Sequence, residues 1–265
     1  MVNYKNLKLI NLSFCESITN FPNLCAPNLE TLNLSFCRKL IEVDESIGSL
    51  AKLKILNLEY CEELQKLPSS LMLTSLKFLN LDSCSRLEKF PKIHPEMKCL
   101  EDLILSYSGI RELHPSLRYL TRLRTLKLDN CVQDFPDRIN KMRLTPIPCT
   151  SFDTLSENGL LSLERLHLSY CGANLIDLDF WMKPEYFPKL TILYLSGSNI
   201  VSMPESITSF TSLADLYINN CKKLRNIPSL PQSIRRVNAI NCSSVDPQSF
   251  RRLWTQVSLS FKFEL

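Results

Sequence analysis

The chain has 265 residues, 45% of them hydrophobic, and a formal net charge of +4. That content supplies a large core for one elongated domain, and the charge is too small to argue for nucleic acid or membrane lipid as a partner. No apolar run reaches the roughly 20 residues of a membrane-spanning helix and no leader-like apolar stretch opens the sequence, so a cytoplasmic or nuclear location is expected.

Taken in order, the chain repeats itself. The pattern L-x-x-L-x-L-x-x-C starts at Leu7, Leu29, Leu53, Leu76, Leu100, Leu123, Leu163, Leu190, Leu213 and Ile234, ten units in all, most of them 21 to 24 residues apart. The ninth place of the unit is Cys15, Cys37, Cys61, Cys84, Ser108, Cys131, Cys171, Ser198, Cys221 and Cys242. In each L-x-L, alternate residues face opposite sides of a strand. Leu79 and Leu81 therefore point into the coil, while Asn80 and Asp82 point out. One unit cannot bury its leucines alone, but stacked units form a parallel sheet with a continuous leucine core behind it. The small Cys or Ser ends the strand where the chain turns inward, and its S–H or O–H can bond a backbone carbonyl in that turn. Pro22, Pro68, Pro91, Pro136, Pro204 and Pro228 follow at matching places and bend the chain to the outer side. The short segments 69–73 and 205–210 predict single turns or 3₁₀ pieces.

The expected fold is an α/β leucine-rich repeat solenoid, a horseshoe with a parallel β-sheet on the concave face and short turns or 3₁₀ pieces on the convex face. The repeat domain spans residues 1–242. Two steps break the period: Leu123 to Leu163 is 40 residues and Leu163 to Leu190 is 27. The first excess reads as a looped insertion at 137–159, containing Pro146, Pro148 and Cys149. The second carries Phe180, Trp181, Tyr186 and Phe187, expected to pack on the convex side. At the far end Val257, Leu259, Phe261, Phe263 and Leu265 alternate with polar residues, which predicts a half-buried strand. Residues 243–265 are therefore a C-terminal cap or the start of a further domain.

Chemistry is hard to place on this chain. The odd count of 11 cysteines and the structural use of the ninth place favour reduced thiols. No C-x-x-C pair suggests zinc, and none of the five glycines sits in a phosphate-binding loop. His94 and His114 fall in connecting turns. His167 lies four residues before Cys171, on the opposite face of its strand. No catalytic constellation emerges, so neither enzymatic activity nor a cofactor or metal is expected.

The informative surface is the outward strand face. Its fifth place reads Asn11, Asn33, Asn57, Asn80, Ile104, Lys127, His167, Tyr194, Tyr217 and Asn238. The repeated Asn suggests a structural ladder, and from Ile104 onward every unit differs. Neighbouring outward places add Asp102, Tyr107, Asp129, Arg165, Tyr170 and Asp215. Mixed aromatic and charged residues on a rigid concave sheet suit protein recognition. Together with Ile104, Lys127, His167, Tyr194 and Tyr217 they form the candidate protein-binding set.

The unit L-x-x-L-x-L-x-x-C-x-x-L-x-x-L-P, as in residues 53–68 and 213–228, resembles the repeats of plant intracellular immune receptors. The phrases L-N-L-S-F-C-R-K-L (32–40), L-P-S-S-L (67–71) and M-P-E-S-I (203–207) place the resemblance in the branch with an N-terminal TIR domain and a nucleotide-binding domain. It covers about residues 7–242. It implies a protein partner, either a pathogen effector or the receptor's own nucleotide-binding domain, and a role in sensing and autoinhibition. No TIR domain and no P-loop are in the chain, so neither NAD cleavage nor nucleotide binding is carried over. A rival reading is the substrate-recognition repeat region of an F-box-type ubiquitin ligase receptor. Such proteins also use Cys-type repeats, but with longer units and no regular Leu-Pro after the Cys. Extracellular plant receptors carry Asn in place of Cys and a G-x-[IL]-P element, which this chain lacks.

Overall fold

The computed structural model describes residues 4–110, 113–130, 160–171, 178 and 182–260, with the backbone alone for 256–260. Ten three-residue strands form one parallel sheet in sequence order. They are β1 (Leu9–Asn11), β2 (Thr31–Asn33), β3 (Ile55–Asn57), β4 (Phe78–Asn80) and β5 (Asp102–Ile104). There follow β6 (Thr125–Lys127), β7 (Arg165–His167), β8 (Ile192–Tyr194), β9 (Asp215–Tyr217) and β10 (Arg236–Asn238). Each strand belongs to one repeat unit, and equivalent places pair without slippage. Leu32, Leu56, Leu79 and Leu103 are in register, and so are Asn33, Asn57, Asn80 and Ile104.

Register is this strict because one face is buried, and a slip by one residue would turn every leucine outward. The core is a column of leucines from successive units. Leu53, Leu76, Leu100, Leu123, Leu163 and Leu213 have no exposed surface, and neither have Leu58, Leu81 and Leu105 on the following inward place. Burying each such side chain contributes about 1.5–3 kcal/mol. The column weakens at both ends. Leu7, Ile10 and Leu12, like Val237 and Ala239, are only half-buried.

The convex side is built of small pieces. Among the described residues three 3₁₀ turns, Glu45–Ser49, Pro115–Tyr119 and Glu205–Ser209, stand where sequence patterning predicts such turns in one case, at 205–210. The other, 69–73, is corrected: Ser70–Leu71 is a short strand paired with Lys92–Ile93. Leu71 is buried against the core there, so the apolar residue is served by extended backbone. Asp44 caps the first turn through the Ser46 amide, and the ring Nδ1 of His114 accepts from the Ser116 amide to cap the second. His94 similarly accepts from the Glu96 amide. These two histidines are turn-formers. Phe187 is fully buried with Tyr186 edge-on to it at 6.4 Å. Phe180, Trp181, Cys131 and the insertion at 137–159 lie outside the described residues.

The expected terminal strand is also corrected at Val257 and Leu259, which lie in a helix, while Phe261, Phe263 and Leu265 lie outside the described residues. Residues Pro247–Ser260 form a helix, α1. Asp246 caps it, accepting the amides of Gln248 and Ser249 at 2.9 Å, and Pro247 occupies the first helical place. Pro at that place loses no intrahelical bond, and its fixed φ suits a helix. The buried Ser249 hydroxyl accepts the Ile227 amide at 3.1 Å and so ties α1 to the ninth unit. Asp-Pro-x-Ser is a start signal that outweighs the alternation beyond Val257.

Candidate functional site

The end of every strand is made the same way. The eighth place of the unit is in the left-handed region in all ten units, from φ 54 at Asn130 to φ 69 at Gly197. The nine other than Gly197 are non-glycine residues, among them Phe14, Phe36, Tyr60, Tyr107 and Tyr170. Each such residue costs on the order of 1–2 kcal/mol. The turn uses its amide productively: Tyr60 donates to the Asp82 carbonyl, Tyr107 to Asp129 and Tyr170 to Ser196, at 2.7–2.8 Å. It also brings the ninth residue inward. The Sγ atoms of Cys37, Cys61, Cys84, Cys171 and Cys221 donate to the sixth-place carbonyl of the preceding unit at 3.1–3.3 Å. The Ser198 hydroxyl makes the same bond to Leu168 at 3.3 Å. The ninth place is thus a donor ladder through the core, as its composition suggested. Burial pushes the Cys61 thiol up to about 12 and Cys221 to about 11. These are poor nucleophiles, and the Cys171 thiol is turned away from the His167 ring.

Outward, the sheet changes its wiring midway. In the first four units the fifth-place Asn closes a local turn. Asn11, Asn33, Asn57 and Asn80 accept the amide two residues on, at 3.0–3.1 Å. In units six, seven, nine and ten that amide is held by the seventh-place side chain of the unit before. Asp129 donates its amide to Ser106 Oγ at 3.2 Å, Ser169 to Asp129 Oδ1 at 2.7 Å, Asn219 to Ser196 Oγ at 3.1 Å and Ile240 to Asn219 Oδ1 at 3.0 Å. The fifth place is then freed from backbone duty. That is the physical reason why Lys127, His167 and Tyr217 can differ there.

Two of the freed residues, His167 and Tyr217, stack with Tyr194 between them. The His167 and Tyr194 rings lie 4.0 Å apart and the Tyr194 and Tyr217 rings 4.4 Å apart, the second pair within 7° of parallel. His167 Nδ1 is 3.6 Å from Asp129 Oδ2. Burial raises the Tyr194 phenol, reinforced by Tyr217 and Asp215 beside it. Lys127 lies on the same column, against Asp82, and Ile104 is half-buried beside it.

The other predicted residues divide. Asp102 and Arg165 are 3.8 Å apart across β6, and Arg165 also donates to Thr125 Oγ1 at 2.9 Å. Asp215 is buried and takes Arg236 Nε at 2.8 Å. These groups have partners within the sheet, and Asp215 offers almost no surface. Tyr107 and Tyr170 are half-exposed on the neighbouring rim. Residues passed over in the sequence stand on that rim: Phe14, Phe36 and Tyr60 stack in series at 4.5 and 4.7 Å. The aromatic column at the eighth place was the signal. Glu59 and Asp82, at the seventh place, line the same edge. Burial, then the nearby Asp82 charge, raises Glu59; burial, partly offset by Ser83 and Lys127, raises Asp82. The opposite rim is a charge ladder in which Glu30 takes Lys54 at 2.6 Å and Lys8 at 3.6 Å, and Arg124 forks onto Glu164 at 3.0 Å.

Among the described residues no group of three or more His, Cys, Asp or Glu is placed to hold a metal ion. No described helix is long and apolar enough to cross a membrane.

No protein-family model matches the chain. Among curated proteins, a probable disease resistance protein of Arabidopsis thaliana is 29% identical over 92% of this chain, and the chain spans 16% of that protein. The TMV resistance protein N of Nicotiana glutinosa is 28% identical over 89% of the chain, which spans 26% of it. The disease resistance protein RPP2A of Arabidopsis thaliana reaches 40% identity over 52% of the chain. The chain thus spans well under half the length of these relatives. Among solved structures, the leucine-rich repeat domain of the type III effector XopL superposes with a TM-score of 0.58 at 22% identity, covering 88% of this chain and 75% of that one. That likeness establishes the fold, a leucine-rich repeat solenoid, and among curated proteins the chain is similar over most of its length to plant disease resistance proteins.

Proposed function

We propose that this region recognises a protein through the concave face of units five to nine, and that in a longer receptor it senses a pathogen protein and holds the switch domain inactive. The observation that carries the reading is the His167–Tyr194–Tyr217 stack. These rings make no backbone bond that the fold needs, and they offer a rigid amphipathic surface with little rotamer entropy to lose. Lys127 supplies a cation beside them, though an exposed ion pair contributes only about 0.2–1 kcal/mol. Ile104, Tyr107, Asp129 and Tyr170 complete the surface, while Asp102, Arg165 and Asp215 hold its strands in place. A cytoplasmic or nuclear setting fits this role, and no chemistry is assigned to the region.

The test places Tyr194→Ala with Tyr217→Ala in a full-length receptor carrying this region and follows the defence response. The expected result is loss of response to the pathogen protein, or response without it, at unchanged protein level. Asn33→Ala with Asn57→Ala serves as the comparison on the other half. If the Tyr pair changes nothing while the Asn pair abolishes recognition, the face has been placed on the wrong half.

A further inference from the structure

The eighth-place rim is a surface of its own. From the third unit on, its large and small residues alternate: Tyr60, Ser83, Tyr107, Asn130, Tyr170, Gly197. Phe14, Phe36 and Tyr60 come from adjacent strands and close onto one another. Tyr60, Tyr107 and Tyr170 come from alternate strands instead. Among the described residues no ring stack joins these three. At a strand spacing of about 4.8 Å they recur every 9.6 Å or so. Tyr107 is 49% and Tyr170 50% exposed. The smaller Ser83 and Asn130 stand between them.

Two quantities on this rim match one kind of ligand. A polyproline II helix advances about 9.3 Å per three-residue turn, close to the tyrosine interval. An extended strand repeats on one face about every 6.6 Å and falls out of step. Polyproline segments dock on aromatic-lined grooves, since they are stiff before they bind. The charge beside the rings selects further. Glu59, Asp82 and Asp129 occupy the seventh place next to Tyr60, Ser83 and Asn130, with Lys127 as a nearby cation. Glu59 and Asp82 are disfavoured as anions by burial, which an arriving cation would relieve. Carboxylates repel phosphate, so nucleic acid and anionic lipid are poor occupants.

We infer that the Tyr60–Tyr107–Tyr170 rim is a docking rail for a polyproline-type segment of a partner protein that carries Arg or Lys at every third residue. The prolines pack against the ring faces, and one cation of the segment reaches the Glu59–Asp82 pair, which adjacent strands hold about 4.8 Å apart, with its stem along a tyrosine face. This surface adjoins the His167–Tyr194–Tyr217 stack and extends the protein-recognition reading at Tyr107 and Tyr170, but it stands or falls by a different measurement.

The experiment is fluorescence anisotropy of the chain with a labelled peptide of repeated Arg-Pro-Pro, alongside Gln-Pro-Pro and Arg-Gly-Gly repeats. Arg-Pro-Pro should bind, and each of the other two should be weaker by about tenfold or more, a difference of about 1.4 kcal/mol. Tyr107→Ala with Tyr170→Ala, and separately Asp82→Asn with Glu59→Gln, should each reduce Arg-Pro-Pro affinity by at least about fivefold, with the thermal midpoint of each variant measured in parallel. Tyr107→Phe retains the ring and should retain binding. Tyr194→Ala with Tyr217→Ala should leave peptide binding unchanged, which separates this surface from the stack. The inference is overturned if Arg-Pro-Pro does not bind, if Arg-Gly-Gly binds equally well, or if the rim variants bind like the parent chain.

Discussion

The Cys84 thiol donates to the Leu58 carbonyl of the unit before it, 3.2 Å away, in a site with no solvent exposure. A serine hydroxyl makes the equivalent bond from Ser198 to Leu168. Cys84→Ser keeps the donor and should cost less than about 1 kcal/mol in urea unfolding. Cys84→Leu removes the donor, leaves the Leu58 carbonyl with the Cys61 amide alone and overfills the turn, at about 1–3 kcal/mol. A protein unfolded by the Ser change and indifferent to the Leu change would remove the ladder's role.

The same burial gives the fold an alkaline limit. Cys61 is held up at about 12 and Cys221 at about 11, against an ordinary value of 9.0. Below pH 9 these thiols are neutral in both states and their contribution is fully present. Above it the unfolded chain gives up protons that the folded chain keeps, so the unfolded state binds fewer protons and stability falls as pH rises. The loss runs from about pH 9 through the folded values of 11 to 12. Cys61→Ser with Cys221→Ser should show a flatter fall of the urea midpoint between pH about 8 and about 10.5 than the parent chain. Identical slopes would assign the alkaline loss to other groups, such as Tyr194.

What the sequence made legible was whatever repeats. The inward leucines, the ninth-place donor and the neighbouring tyrosines at 194 and 217 follow from period and alternation, because a stacked unit repeats its geometry with its residues. Three things escaped for local reasons. The left-handed eighth place was hidden because Phe and Tyr occupy it, and aromatic residues do not advertise a positive φ as Gly or Asn would. The change in amide wiring was hidden because it depends on two different places in adjacent units: Asn57 serves its own turn while Asp129 serves the next one. Helix α1 was missed because a period-two run drew attention from the Asp246–Pro247 start. On the candidate face, Asp215 reads as exposed from alternation alone, yet Arg236 of the next unit covers and pairs it.

Gly197 illustrates how one unit's residue is set by the unit before. A methyl group at Gly197 would stand 2.3 Å from Cδ1 of Tyr170. Its φ of 69° adds a backbone cost of about 1–2 kcal/mol for alanine. Gly197→Ala should therefore destabilise the chain by more than the backbone share, since Tyr170 must also move. In a Tyr170→Ala background the same change should cost only that share. A double-mutant cycle by urea unfolding reads the difference. Equal costs in the two backgrounds would mean that the glycine serves the turn and not the ring.

The last prediction asks whether the fifth place is free where the stack stands. Asn57 holds the Glu59 amide at 3.1 Å, so Asn57→Ala should leave that donor unpaired at about 1 kcal/mol. Lys127 sits in the same column three units on, but the Asp129 amide is held by Ser106 Oγ at 3.2 Å. Lys127→Ala should thus stay within about 0.5 kcal/mol of the parent chain. Asp129→Ala, at the seventh place, should behave like the Asn change, because the Ser169 amide loses its 2.7 Å acceptor. Urea midpoints of the three variants decide it. A Lys127→Ala cost as large as that of Asn57→Ala would show that the fifth place carries the fold in both halves. The variety at Ile104, Lys127, His167, Tyr194 and Tyr217 would then no longer point to a partner. The expected order, with Lys127→Ala the mildest, leaves that column free for recognition.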